Sequence, residues 1–212
     1  MKREETKRVL RTNGDVLATL QVANDVGWEG VKEVNIHRII YISSVLYSFK
    51  NPDKENPFIA DYNFIISLRG PYSDEIKRSL VYLKTQKFIF NNDKQEYQLH
   101  NENVMTLNLE ILPNFIIKKN WIETIIYIIG IYGEDKIYDF VFRDPEYQDN
   151  VHRNSITNLN LDIGNETYKN LVEMKQVFES VLGDKAETLD NREYLELYFQ
   201  YVFSKIIKGD IN

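Results

Sequence analysis

The chain has 212 residues, a formal charge of −6 and a pI near 5.2; 43% of it is hydrophobic and 13% aromatic, with 14 Tyr and 11 Phe. That composition gives a globular chain with a sizeable core and excludes a disordered one, and the acidic balance argues against nucleic-acid binding through the overall field. Cysteine is absent, which removes disulfides, thiolate nucleophiles and sulfur-ligated metals and fits a reducing compartment.

Met1 to Glu5 carries charges with no apolar run behind them, so no signal peptide is expected and the expected location is cytoplasmic. Residues 1 to 12 read as a charge-dense segment that frays. Val16, Leu17, Leu20, Val22 and Val26 predict a helix from Asp15 to about Asp25, closed by Gly27. Asn35 reads as the cap of the next helix, in which Ile36, Ile39, Ile40, Ser43, Leu46 and Tyr47 share a face. Asn51-Pro52 and Asn56-Pro57 bracket a loop.

The chain is organised around Leu68 to Ser73. The aromatic and β-branched run Tyr62 to Leu68 predicts a strand, which Gly70-Pro71 ends in a turn; Ser73 then caps a helix starting near Asp74, with Asp74 and Glu75 complementing its dipole. Ile76, Ser79, Leu80 and Leu83 form the inner face of that helix, and Lys77, Arg78, Lys84 and Lys87 give it a mildly basic outer face. Phe88 to Phe90 and Tyr97 to Leu99 flank Asn91-Asn92-Asp93 as a two-stranded hairpin.

Asn101 to Met105 reads as a polar connection, and Leu107, Leu109 and Ile111 as an edge strand or linker before Pro113. Asn114 to Ile131 reads as a long helix, apolar on most sides and therefore buried. Lys118, Lys119 and Glu123 interrupt the apolar run Ile111 to Tyr132, so it is no membrane span. Gly133 ends it. Glu134 and Asp135 open a helix with Ile137, Tyr138, Val141 and Phe142 on one face, stopped at Asp144-Pro145. Gln148 to Asn165 reads as a loop, and Thr167 to Leu182 with Arg192 to Lys208 as a helical hairpin joined through Gly183. The fold class is α+β and predominantly helical: a winged-helix module with a small β-wing over 1–106, including an N-terminal helix, then a helical region over 107–212.

No constellation of catalytic residues emerges. His37, His100 and His152 lie at no metal-ligating spacing, and the nine glycines form no phosphate- or dinucleotide-binding pattern, so no metal, cofactor or catalytic residue is expected. Asp74-Glu75 reads as a dipole complement rather than an acid pair, and Ser73 as a cap rather than a nucleophile. Lys118-Lys119 reads as a solvated face, with contact to a phosphate as the alternative. Residues 61 to 100 hold six basic side chains against five acidic ones, a local balance of only +1.

His37 to Ser44, Pro57-Phe58 to Phe64, Leu68-Arg69-Gly70-Pro71-Tyr72-Ser73 and the following helix into Phe88-Ile89, with Tyr132 to Ile137 and Phe142 to Tyr147, resemble the winged-helix middle component of bacterial three-component ABC conflict systems, over roughly residues 33 to 147. These are small companions of an SMC- or Rad50-like ATPase; the Lamassu anti-phage system, with its small third subunit and an effector nuclease, is of this class. The resemblance implies a non-enzymatic accessory subunit whose partners are that ATPase, the nuclease and, through the complex, duplex DNA. Lys77, Arg78, Lys84 and Lys87 are then the candidate DNA contacts, and Gly70, Pro71, Tyr72 and Ser73 the structural motif. The alternative is a winged-helix transcriptional regulator or antitoxin that puts the Asp74 helix in the major groove.

Overall fold

A computed structural model describes residues 2–133, 136–152, 158–183 and 189–208. It is α+β and predominantly helical. The first helix, α1, runs over Lys2–Asp25, so the charge-dense start expected to fray belongs to it: its basic residues find acidic partners, Arg8 with Glu75 at 2.7 Å and Arg11 with Asp61 at 2.8 Å. Gly27 then breaks the chain at φ +86.

Helix α2, Glu33–Lys50, is the centre of the molecule. Every residue from Asn35 to Phe49 is buried, as a helix apolar on most sides requires. Its N-cap is Lys32, not Asn35, which lies inside the first turn and accepts from Arg38 Nη1 at 2.9 Å. Around α2 pack α1 and helices α5 (Phe115–Tyr132), α6 (Lys136–Phe142), α8 (Glu166–Leu182) and α9 (Asn191–Lys208). Ser43 and Ser44 return their hydroxyls to the carbonyls of Ile39 and Ile40. The carbonyl of Ser43 also accepts from Trp121 Nε1 of α5 at 2.7 Å.

The segment Tyr62 to Ser73 is a hairpin rather than a strand ended by a turn. Strand β1, Phe64–Ser67, pairs antiparallel with β2, Gly70–Tyr72, in the register Ile65 to Tyr72, Ile66 to Pro71 and Ser67 to Gly70. Pro71 is tolerated because β2 is an edge strand. Helix α3, Asp74–Thr85, follows with Ile76, Ser79, Leu80 and Leu83 buried as expected, and the second hairpin comprises β3 (Ile89–Asn91) and β4 (Tyr97–Leu99). Val31, between α1 and α2, adds an antiparallel bridge to Tyr97 through bonds of 2.8 and 3.0 Å.

Asn101–Val104 is a short helix, α4, and Leu109–Ile111 a 3₁₀ turn, in place of the connection and edge strand expected there. Helix α5 is only half buried: Trp121, Ile122, Ile125, Ile126 and Ile129 face the core, while Ile116, Ile117, Tyr127 and Ile131 face outward. The helix start expected at Glu134 and Asp135 lies outside the described residues. Pro145 does not stop the chain but opens α7, Pro145–His152, as a proline at a first helical position can. The expected loop from Gln148 also supplies strand β5, Asn158–Leu159, which completes the sheet in the order β2-β1-β5. Asn165 caps α8, accepting from the Thr167 and Tyr168 amides. One buried cluster runs from Val16 to Phe203. Among the described residues no helix is long and apolar enough to cross a membrane.

Of the Lys118-Lys119 pair, Lys119 stays part-exposed, but Lys118 overturns both sequence readings. Its side chain is 1% exposed, and Nζ donates to Asp15 Oδ2 at 2.8 Å and to Asp61 Oδ2 at 2.6 Å. Arg11 holds the other oxygen of Asp61, and the Tyr62 hydroxyl donates to Asp15 at 2.7 Å. The ammonium also lies 4.9 Å from the Phe58 ring centroid. Burial still pushes the Asp15 carboxyl up, outweighing the opposite pull of Lys118. Removing one partner of a buried ion pair leaves the others uncompensated, so Lys118→Met should cost about 3–5 kcal/mol of stability by chemical denaturation. A loss below about 1 kcal/mol would show that the two carboxylates do not need the ammonium.

Candidate nucleic-acid interface

Helix α3 turns its apolar face to α1 and β3, and Ser79 Oγ donates to Thr12 Oγ1 of α1 at 3.0 Å. The outer face exposes Arg78, Val81, Tyr82, Lys84 and Thr85. The four expected contact residues differ in their engagements. Lys77 Nζ is held by both oxygens of Glu33 on α2, at 2.8 and 2.9 Å. Lys84 Nζ reaches Asn91 Oδ1 on the hairpin at 2.5 Å. The charged groups of Arg78 and Lys87 have no hydrogen-bonding or ionic partner among the described residues. Lys87 also shapes the backbone: at φ 59 it is the left-handed residue that ends α3, and the Phe88 amide then donates to the Leu83 carbonyl at 2.9 Å.

The Gly70 to Ser73 motif is a seat for α2. Gly70 adopts φ +114, and a Cβ there would stand 3.2 Å from Arg38 Nε. Arg38 is 5% exposed; Nη2 donates to the Arg69 carbonyl at 2.5 Å, and the guanidinium lies over the Tyr138 ring at 4.8 Å. Tyr72 stacks on His37 at 4.9 Å, and the Ser73 amide donates to His37 Nδ1 at 3.1 Å. Burial lowers the His37 pKa to about 4, which keeps Nδ1 an acceptor at neutral pH. Ser73 occupies the N-cap position by its backbone, but its hydroxyl does not cap: Oγ donates to Glu75 Oε2 at 2.6 Å. Glu75 draws the hydroxyl away, since it also anchors Arg8.

A second buried polar centre joins α2, α7 and α8. Asp144 accepts from the Tyr41 hydroxyl at 2.8 Å, the Thr167 hydroxyl at 2.5 Å and the Tyr147 amide at 2.9 Å. Burial raises its pKa to about 6 against the opposing pull of these bonds. A carboxyl near 6 is poised for acid–base work, but Asp144 is 5% exposed and its oxygens are committed to joining three helices. Neither Lys118 nor Asp144 was legible as a site; the only signal was a lone charge inside or beside an apolar run. Among the described residues no group of three or more His, Asp or Glu side chains could hold a metal ion. No family model, curated protein or solved structure matches the chain.

Gly70→Ala should cost about 1–3 kcal/mol, because alanine at that φ is strained and its Cβ crowds Arg38. An unchanged denaturation midpoint would contradict the seat. Asp144 has a folded pKa above its ordinary 3.8, so its contribution to stability is fully present below about pH 4 and is lost as the pH rises through about 6. Asp144→Asn, which does not titrate, should therefore gain on the wild type by up to about 3 kcal/mol between about pH 4 and about pH 7. A difference that stays flat with pH would show that Asp144 does not titrate in that window.

Proposed function

We propose that the chain is a non-catalytic accessory subunit of an SMC- or Rad50-like ATPase assembly in bacterial anti-phage defence, of the Lamassu kind, that helps hold DNA and restrain an effector nuclease. One observation carries this reading: α1, the Val31 bridge, α2, α3 and the β3–β4 hairpin follow one another in the order of a winged helix, with Val31 beside β4 and the basic face of α3 outermost. The β1–β2 hairpin lies between α2 and α3, and on this reading it is an insertion. With Lys77 neutralised by Glu33, three of the four, Arg78, Lys84 and Lys87, are left to meet phosphates at full charge, on a chain of net −6. Three such contacts give weak binding, since dedicated binders neutralise about 6–10 phosphates. The assembly supplies the rest.

Val81 and Tyr82, exposed on the same face, favour a second reading, a DNA-binding regulator or antitoxin, because an apolar side chain in the major groove meets the thymine methyl group. Tight, sequence-selective binding by the isolated chain would select that reading.

The isolated chain should show little affinity for duplex DNA at physiological salt, and co-expression with the neighbouring genes should give a complex with an ATPase on size exclusion. Replacing Lys77, Arg78, Lys84 and Lys87 with Glu should weaken DNA binding by that complex and leave its assembly intact. Failure to co-elute with any ATPase sinks the accessory-subunit reading. Loss of assembly by a folded variant makes the α3 face a protein interface instead.

A further inference from the structure

Two surface features have no part in that reading, and each complements the other. The first is the apex of the β1–β2 hairpin. Its turn residues, between the Ser67–Gly70 pair, are Leu68 and Arg69. Tight hairpin turns ordinarily take Gly, Asn or Asp. Here the apex carries a leucine that is fully exposed, beside an arginine whose guanidinium has no partner among the described residues. Beneath it, the Arg38 guanidinium donates to Asn35 and to the Arg69 carbonyl, two uncharged acceptors. The apex is thus an apolar tip on a locally positive base, on a chain of net charge −6.

The second feature is an open groove of about 460 Å³ between α5 and α9, lined on its apolar side by Tyr127, Ile128, Ile131, Tyr132 and Phe199. Ile131 is 80% exposed, and at Gly130 the Cβ direction is empty. The carboxylates at this groove are Glu123 and Glu196. Glu196 is held by Arg192 at 3.1 Å, whereas Glu123 has no partner among the described residues. The groove is an apolar slot with a free negative charge at its edge.

We propose that the hairpin apex of one copy docks in the α5–α9 groove of a second copy, with Leu68 between Tyr127 and Ile131 and Arg69 paired with Glu123. Burying Leu68 and Ile131 against each other supplies the favourable term, and the one ion pair sets orientation. The two surfaces differ, so the contact is heterologous, and copies join head to tail into a ring or an open chain. A single loop in a single groove falls below the ~1,200 Å² of a standard interface, so the association is weak and shows itself at micromolar concentrations and above. It involves neither DNA nor an ATPase, and so stands apart from the accessory-subunit reading.

Sedimentation velocity of the full chain, from micromolar to near-millimolar concentration, tests it directly. The weight-average sedimentation coefficient should rise with concentration for the wild type and stay at the monomer value for Leu68→Asp and for Ile131→Asp. Arg69→Glu and Glu123→Lys should each weaken association by about tenfold or more, and combining them should restore most of it, because the pair is then reversed rather than lost. Circular dichroism of each variant checks that it remains folded; Leu68, Arg69 and Ile131 are exposed and Glu123 is part-exposed. A wild type that stays monomeric throughout the range overturns the proposal. So does a Leu68→Asp variant that associates as the wild type does, or a charge-reversed pair no better than either single variant.

Discussion

Lys118 sits where three stretches of chain meet: α1 through Asp15, the loop before β1 through Asp61, and its own helix α5. A lone ammonium in an apolar interior is costly, and so are two carboxylates; together, with Arg11 and the Tyr62 hydroxyl completing the set, they are matched. Attraction of this kind is directional where apolar packing is not. Sliding α5 along α1 by one turn would move the ammonium by about 5.4 Å, out of reach of both carboxylates. The ion cluster therefore fixes the register in which the apolar faces of α1, α2 and α5 meet, and the burial of Trp121, Ile122, Ile125 and Ile126 depends on that register.

The second constraint is that α2 has no solvent face over most of its length, yet carries His37, Arg38, Ser43, Ser44 and Tyr41 into the interior. Most of their polar atoms find a partner there, and among the described residues His37 Nε2 and Arg38 Nε are buried without one. The serines use their own helix, Arg38 uses Asn35 and the hairpin carbonyl, His37 uses the Ser73 amide, and Tyr41 uses Asp144. Three of these partners, the Arg69 carbonyl, the Ser73 amide and Asp144, lie far away in sequence. The Gly70 to Ser73 segment and the Asp144 junction are thus two of the places where the rest of the chain is fitted around one helix. They also explain why the motif is glycine first, since a Cβ at Gly70 would crowd Arg38.

What could be read from sequence followed from local pattern. The 3.6-residue spacing placed α3 and its buried face, and the Asn-rich turn placed β3 and β4, because those elements depend on neighbours in the chain. Errors came where a distant partner decided the outcome. Arg8 and Arg11 look like a solvated start until Glu75 and Asp61 are beside them, and Lys118 looks like surface until α1 covers it. Ser73 is an exception with a local cause: it has the sequence of a cap, but Glu75, two residues on, takes its hydroxyl. Gly70-Pro71 reads as a strand terminator because proline cannot donate to a ladder, and at a sheet edge it does not need to. On the α3 face the sequence supplied the four cations but not that Glu33 and Asn91 hold two of them.

The middle strand of the three-stranded sheet has one neighbour made at once and another made much later. β2 follows β1 after a two-residue turn, whereas β5 comes from beyond α5, α6 and α7. During synthesis the Phe64 edge of β1 therefore emerges from the ribosome long before Leu159, and its amides and carbonyls wait unpaired while helices α3 to α7 are made. A strand edge open for that interval is a site for wrong pairing with another nascent copy. Closing it is a late, non-local step, in which the chain beyond α7 returns to a strand laid down early.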